Sequence, residues 1–431
     1  MTSPQIVATV IFAVTFGVIL SERLHRTTAA LVGAIAMLVI GMLMGFYSQE
    51  QALAAIDFNT LGLLLGMMIL VQLLQNTGFF RYVAILTGKR SGGSPWRLLI
   101  ILGIATTVLS MFLDNVTTVV LIVPVTILIA EILGISPVPL LMAEALLSNV
   151  GGVATLVGDP PNVVIGSAAG FTFVDFLTHT APIVLVALPA ALLVLWIAFR
   201  RELRTRPRNI EALFRLDERE ALEDPAGLRK TLIVLAAVIL LFFLQGLLHL
   251  KPATIALGGA AVALLWVRPD VDETLRHVEW GVLLFFAALF VTVGGLEAAG
   301  VLQLLADVVA EPASENLLAA SLLLLWLAAS ASALIDNIPF TIALVPVIQQ
   351  LGNLGINTSP LWWALALGAG FGGNGTPIGA TANVVTVSQS GKTRTPITLR
   401  IWLRSGLPVM LVTCAIATVL FALFFDWMQR R

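Results

Sequence analysis

Cysteine occurs once in the 431 residues, at Cys414, which excludes an internal disulfide and any site built from several thiolates. Charge is scarce as well. Asp, Glu, Lys and Arg make up 11% of the chain, and a formal net charge of -1 offers no basic face for nucleic acid. No GxxxxGK(S/T) loop is present, so the chain carries no phosphate cradle with which to hydrolyse ATP by itself. Nothing in it calls for a cofactor or a resident metal. Its first residues show neither a basic start nor a small-residue cleavage site, and the first apolar run reads as a retained helix. What is abundant is apolar surface: 58% of residues are hydrophobic, in successive runs long enough to cross roughly 30 Å of hydrocarbon. This composition predicts an all-α polytopic membrane protein.

One pattern of polar residues inside those apolar runs is written twice. Asp114-Asn115-Val116, Pro124, Gly151-Gly152, Thr155, Gly158 and Asn162 return as Asp336-Asn337-Ile338, Pro346, Gly372-Gly373, Thr376, Gly379 and Asn383, about 221 to 222 residues later. Such a long internal repeat is the mark of a secondary transporter made of two related halves. The first half reads as crossings over 6–20, 28–46 and 60–76, then two pieces, 98–113 and 116–130. Each piece is roughly 24 Å long as helix, short of a full crossing, and the pair reads as a re-entrant hairpin tipped by Asp114-Asn115. The run 140–168 is interrupted by Gly151-Gly152 and by Gly158-Asp159-Pro160-Pro161, which predicts a broken transmembrane helix with an unwound middle. A crossing over 182–199 closes the half.

Residues 200–230 hold nine Lys and Arg among several acids and no apolar run, which predicts a linker between a first repeat at 1–199 and a second at 231–431. The positive-inside rule places that linker in the cytoplasm. The basic clusters at Arg23 and Arg26, 81–97, 268–276 and 392–404 fall on the same side, while the loops at 49–57 and 307–315 hold acids alone. Counting crossings then sends 60–76 and its counterpart 280–297 in opposite directions. The repeats are expected to be inverted, with the two hairpin tips entering from opposite faces.

Asp114 and Asp336 each precede a helical run, where an aspartate can serve simply as an N-cap. Ser, Thr or Asn would cap equally well without placing a titratable group at membrane depth, so Asp at both tips favours a carboxylate that carries a proton or ion. Asn115, Thr117 and Asn337 add polar groups there, and the helix start directs free N–H groups to the same point. In the interrupted segments Gly151, Gly152, Gly158, Pro160 and Pro161, with Gly372, Gly373, Gly375 and Gly379, are the expected unwinding positions. Thr155, Asn162, Asn374, Thr376, Asn383 and the freed carbonyls are the groups that would replace a solute's hydration shell. Asp159, whose counterpart is Ala380, is either a third carrier of a proton or ion or a cap for the half-helix that starts at Pro160. Glu144, whose counterpart is Leu365, reads as a weaker candidate.

With these motifs placed, the chain resembles the ion transporter superfamily. That group includes arsenite permeases of the ArsB type, NhaD-type sodium/proton antiporters, the P protein and the divalent anion/sodium symporters. Residues 112–118, 158–163 and 372–376 carry the likeness, which is closest to the P-protein and arsenite-permease branch. The resemblance implies scaffold helices around a core of two opposed hairpins and two broken helices. The divalent-anion branch has Ser-Asn-Thr tips where this chain has Asp, and an ionised Asp beside a dicarboxylate is repulsive by several kcal/mol at an effective dielectric of about 20. The leading expectation is therefore proton-coupled antiport of arsenite or antimonite out of a bacterial cell across its inner membrane. Uncharged arsenite trihydroxide would be held by oxygen and amide contacts. A sodium/proton antiporter, or an anion or carboxylate transporter of the same superfamily, is the alternative, and a soluble ATPase partner is compatible with the linker.

Overall fold

A computed structural model describes residues 1–21 and 23–430, and among these every regular element is helical. The first half runs α1 (Ser3–Leu20), α2 (Arg26–Leu43), the short α3 (Gln49–Ala55), α4 (Phe58–Asn76), α5 (Phe79–Arg90), α6 (Pro95–Phe112), α7 (Asn115–Leu133), α8 (Val138–Gly152), α9 (Pro160–Ala169), α10 (Phe173–His179) and α11 (Ala181–Phe199). A connecting segment holds α12 (Ile210–Arg215). The second half runs α13 (Pro225–Leu248), α14 (Pro252–Val267), α15 (Val271–Arg276), α16 (Trp280–Ala298), α17 (Val301–Glu315), α18 (Leu317–Leu334), α19 (Asn337–Asn353), α20 (Ser359–Gly372), α21 (Thr381–Ser390), α22 (Leu399–Leu423) and α23 (Phe425–Met428). Ten of these helices are long and apolar enough to cross a membrane.

Burial sorts them. Every residue of α8 and of α20 is buried, as expected for helices that are apolar all round and surrounded by others. α1, by contrast, buries only Ala8, Thr15 and Ile19 and shows most of its apolar surface, as a lipid-facing helix does. The two buried helices are held in the same way: α6 packs along α8 and α18 along α20. The approach is close enough that a Cβ on Gly151 would lie 2.5 Å from the Thr107 carbonyl oxygen, and one on Gly372 2.5 Å from Ala329. A second group of helices, α1, α2, α4, α13, α14 and α16, pairs chiefly within itself, through α2 with α16 and α4 with α14. This scaffold meets the core where α4 packs on α9 and α16 on α19.

Two expectations change. The hairpin arms α6 and α7 have 18 and 19 residues rather than the shorter runs read from hydropathy, so their length alone no longer separates them from full crossings. The difference arises because Pro95 starts α6 and Gly134, in the left-handed conformation, ends α7, both beyond the strictly apolar stretch. The basic segment, expected as a solvated loop, lies against the first half. Leu203, Leu213 and Ala221 are buried, Arg208 N donates to Leu133 O, Glu223 N donates to Thr77 O, and Lys89 pairs with Glu218. It also ends early, since α13 begins at Pro225, capped by Asp224.

Candidate functional site

Helices α8 and α20 stop inside the protein where the paired glycines Gly151-Gly152 and Gly372-Gly373 weaken them, ahead of Gly158 with Pro160-Pro161 and of Gly375 with Pro377. The chain is unwound over 153–159 and, after a 3-10 turn at Gly373–Gly375, over 376–380. Broken backbone at this depth leaves carbonyls that need donors, and the two copies supply them identically. Asn162 Nδ2 donates to Gly152 O at 3.1 Å and Thr155 O at 2.9 Å, while Asn383 Nδ2 donates to Gly373 O at 2.7 Å and Thr376 O at 3.0 Å. The Thr155 hydroxyl donates to Met111 O and that of Thr376 to Ala333 O, tying each loop to the end of its hairpin arm. Asn162, Asn383, Thr155 and Thr376 were expected to face a solute. The amide donors of Asn162 and Asn383 go to unwound carbonyls, and the hydroxyl donors of Thr155 and Thr376 to carbonyls near the ends of α6 and α18.

The hairpin tips cap helices, as their position allowed. Asp114 accepts from Thr117 N at 2.8 Å and from the Thr117 hydroxyl, and Asp336 accepts from Ile338 N at 3.2 Å. They differ in what else they reach. Asp336 Oδ2 also receives Arg26 Nη1 at 2.8 Å and the Thr381 hydroxyl at 2.9 Å, whereas Asp114 has no basic partner among the described residues. Thr117 is accordingly spent on Asp114.

The positions that the two copies do not share come together at the centre. Asp159 stands just before α9 but makes no capping bond. Its carboxylate accepts instead from Asn115 Nδ2 at 3.3 Å and from Asn337 Nδ2 at 3.2 and 3.3 Å, one amide from each hairpin tip. Asn115 Nδ2 also reaches Asn149 Oδ1 at 3.0 Å, and Asn149 Nδ2 donates to Asn374 Oδ1 and Asn383 Oδ1, each at 2.9 Å. All six of these residues are buried. The two halves are therefore joined twice, through Asn149 to Asn374 and Asn383 and through Asn337 to Asp159. Opposite Asp159 stands Gly370, the counterpart of Asn149, where an added Cβ would lie 3.5 Å from Asp159 Oδ2. Asn115 Oδ1 and Asn374 Nδ2 have no partner among the described residues, which leaves one acceptor on the residue that bonds the carboxylate and one donor at the Asn149 end of the amides. Both Asp114 and Asp336 lie within Coulombic reach of Asp159. A buried carboxylate met, among the described residues, only by neutral amides, with two further acids near it, can hold a proton, a small cation or a hydroxyl-rich neutral solute.

Three participants were not singled out from sequence. Asn149 was legible as one of three polar residues, with Glu144 and Ser148, in the largely apolar α8, one position before Val150-Gly151-Gly152. Arg26 and Thr381 gave no such signal, since Arg26 read as one more basic residue at a helix end. Glu144 lies apart, with Oε1 receiving the Thr126 hydroxyl and Oε2 unpartnered among the described residues.

Access is lopsided. On one face a vestibule of about 760 Å³ opens between scaffold and core, lined by Asp57, Lys251, Glu297 and Gln349, with Val164 and Ile342 just past Asn162 and Asn337. On the other, a pocket of about 30 Å³ is all that remains among Arg26, Asp114, Glu279, Val282 and Thr381. A polar centre at the break of two helices, with a wide vestibule on one side and only a water-sized pocket on the other, is the construction of a multi-pass membrane transporter.

The comparisons with known proteins carry this further. The family model described as citrate transporter (CitMHS) matches residues 16–368, so the chain belongs to that family, within the ion transporter superfamily. A 46 kDa membrane protein of Mycobacterium leprae is 40% identical over 96% of this chain and 97% of its own length. An uncharacterized transporter of Mycobacterium tuberculosis is 41% identical, with 96% and 97% covered. The human P protein is 34% identical over 95% of this chain, which spans 59% of that longer protein. The crystal structure of the Alcanivorax borkumensis YdaH transporter covers 100% of both chains at a TM-score of 0.58 and 16% identity, a likeness of fold alone.

Proposed function

We propose that this transporter couples proton movement to the export of a small, uncharged, hydroxyl-rich solute, with arsenite and antimonite as the cargo, by alternating access in a bacterial inner membrane. The observation that carries the reading is Asp159, whose charge is met by Asn115 and Asn337 amides and by no basic group among the described residues. A trihydroxide donates to a carboxylate and an amide oxygen and accepts from an amide N–H, the groups that Asp159, Asn115 and Asn374 present. A tricarboxylate would meet three aspartates with Arg26 already engaged by Asp336. One close like-charge pair costs about 4 kcal/mol at roughly 4 Å and an effective dielectric of 20, so a citrate would need neutralising before it entered. In this reading residues 1–199 and 231–431 are inverted repeats, the 200–230 segment is cytoplasmic, and Asp114 and Asp336 exchange protons as the core moves. No cofactor takes part.

Sodium/proton antiport is the second reading, favoured by the same crowding of Asp114, Asp159 and Asp336 around amide and carbonyl oxygens, which suits a hard cation. Everted vesicles separate the two. Arsenite uptake driven by an acid interior, lost in Asp159→Asn and in Asp336→Asn, supports the first. Sodium-dependent dissipation of the pH gradient without arsenite uptake replaces it with the second. Gradient-driven uptake of citrate in wild-type vesicles overturns both.

A further inference from the structure

Arg26 is the first residue of α2, on the scaffold, yet its hydrogen bonds are made to the core. Nη1 donates to Asp336 Oδ2 at 2.8 Å and to Thr381 Oγ1 at 2.7 Å, and Thr381 Oγ1 donates in turn to the same carboxylate oxygen at 2.9 Å. Asp336 caps α19 and Thr381 opens α21, so one guanidinium joins a scaffold helix to both the hairpin and the broken helix of the second half. Phe285, on scaffold helix α16, lies under it with its ring centroid 5.5 Å from Cζ and fixes the plane of the fork. Side-chain exposures of 29% for Arg26 and 17% for Asp336 leave the pair mostly out of water, where a charge-assisted bond is strongest. It is the one ion pair between scaffold and core among the described residues.

The pair sits where the approach is closed. Arg26 and Thr381 line the 30 Å³ pocket, together with Asp114 and Glu279. Across the molecule the corresponding charges, Lys251 at the start of α14 and Asp57 at the start of α4, line the 760 Å³ vestibule and make no ion pair among the described residues. The two faces carry similar charges; on the vestibule face scaffold and core meet through a neutral bond from Asn59 Nδ2 to Ser167 Oγ at 3.0 Å, and the ion pair lies on the shut face.

We propose that Arg26 is a positioning residue that latches the core to the scaffold, holding this face closed while the vestibule is open, and that it must release Asp336 before the core can shift. The proposal rests on the reading of the chain as an alternating-access transporter, but on no particular cargo. It is tested on purified protein in nanodiscs, in a Cys414→Ser background, with a single reporter at Val282→Cys beside the latch or at Val345→Cys in the vestibule, by the rate of labelling with a water-soluble maleimide. Arg26→Gln is expected to speed labelling at the latch side by about tenfold or more and to slow it in the vestibule. Asp336→Asn should reproduce that shift, the double variant should add little to either, and Arg26→Lys should fall between wild type and Arg26→Gln. Unchanged rates overturn the proposal, and so does a rise at both reporters, which would mean loosening and not a change of state. Because no solute is present, the outcome stands whether or not arsenite proves to be the cargo.

Discussion

Adding a single methyl group at Gly158 tests whether the broken helices are as tightly fitted as they look. A Cβ there would lie 2.5 Å from the carbonyl oxygen of Ser110 and 2.7 Å from that of Gly152. The first of these is about 0.9 Å inside the 3.4 Å at which ordinary contact begins. Both obstacles are backbone, one at the end of α6 and one at the end of α8, and neither can rotate away as a side chain does. The unwound segment must therefore move off α6, at a cost of about 1 to 3 kcal/mol or more for an overpacked interior. Gly379→Ala should behave alike, since its Cβ would meet Gly373 O at 2.6 Å and Ser332 O at 2.8 Å. Gly258 is the control. It lies in α14, exposed, with nothing within 4 Å of an added Cβ, and Ala there should stabilise the helix by about 0.5 to 1 kcal/mol. The difference between the 158 and 258 variants, about 2 kcal/mol or more, is within reach of reversible unfolding in mixed micelles followed by tryptophan fluorescence. Equal stabilities for Gly158→Ala and Gly258→Ala would refute the packing argument, because the same substitution would then be indifferent to the two environments.

Other outcomes follow from single contacts. Asp159→Asn keeps the size of the side chain but sets an amide N–H against the Asn337 donor that now lies 3.2 Å away, so transport should be lost while the protein stays folded and monodisperse. Asn149→Ala removes two bonds of 2.9 Å that join the halves and strands Asn374 Oδ1, for a loss of about 2 to 4 kcal/mol measurable by the same unfolding assay. In the connecting segment, Lys89 holds the Glu218 carboxyl below the usual carboxylate range. That contribution to docking is present above the ordinary Glu pKa and fades as pH falls through the lowered one. Hydrogen exchange over 205–222 should therefore quicken on acidification, and Lys89→Gln should show the quick exchange already at neutral pH.

The repeat, the positions of the helix breaks and the membrane class were legible because each leaves a local mark: a Gly or Pro where a helix cannot continue, or a carboxylate where only apolar residues are expected. Family membership was legible for the same reason, since the motifs at 112–118, 158–163 and 372–376 are contiguous. The roles inside the site were less so. Asn162 and Asn383 look like ligands in sequence, and what sequence does not show is that their amide N–H groups also satisfy carbonyls that come into reach only when the chain unwinds. Asp114 and Asp336 look equivalent and are not, since the guanidinium that distinguishes them arrives from a helix 310 positions away.

Sequence by itself determined that one polar pattern is written twice, where the helices must break, and that carboxylates lie among apolar runs. Those are consequences of residue type at a position, with no need to know what is nearby. Tertiary structure alone decided which polar groups are spent on the backbone and which are left without a partner, and that Arg26 joins the scaffold to Asp336. A hydrogen bond is a property of two groups within about 3 Å, and the partners here belong to segments far apart in the chain. The unmatched residues Asp159, Asn149 and Asn374 thus became the centre of the site only when the two halves were brought together.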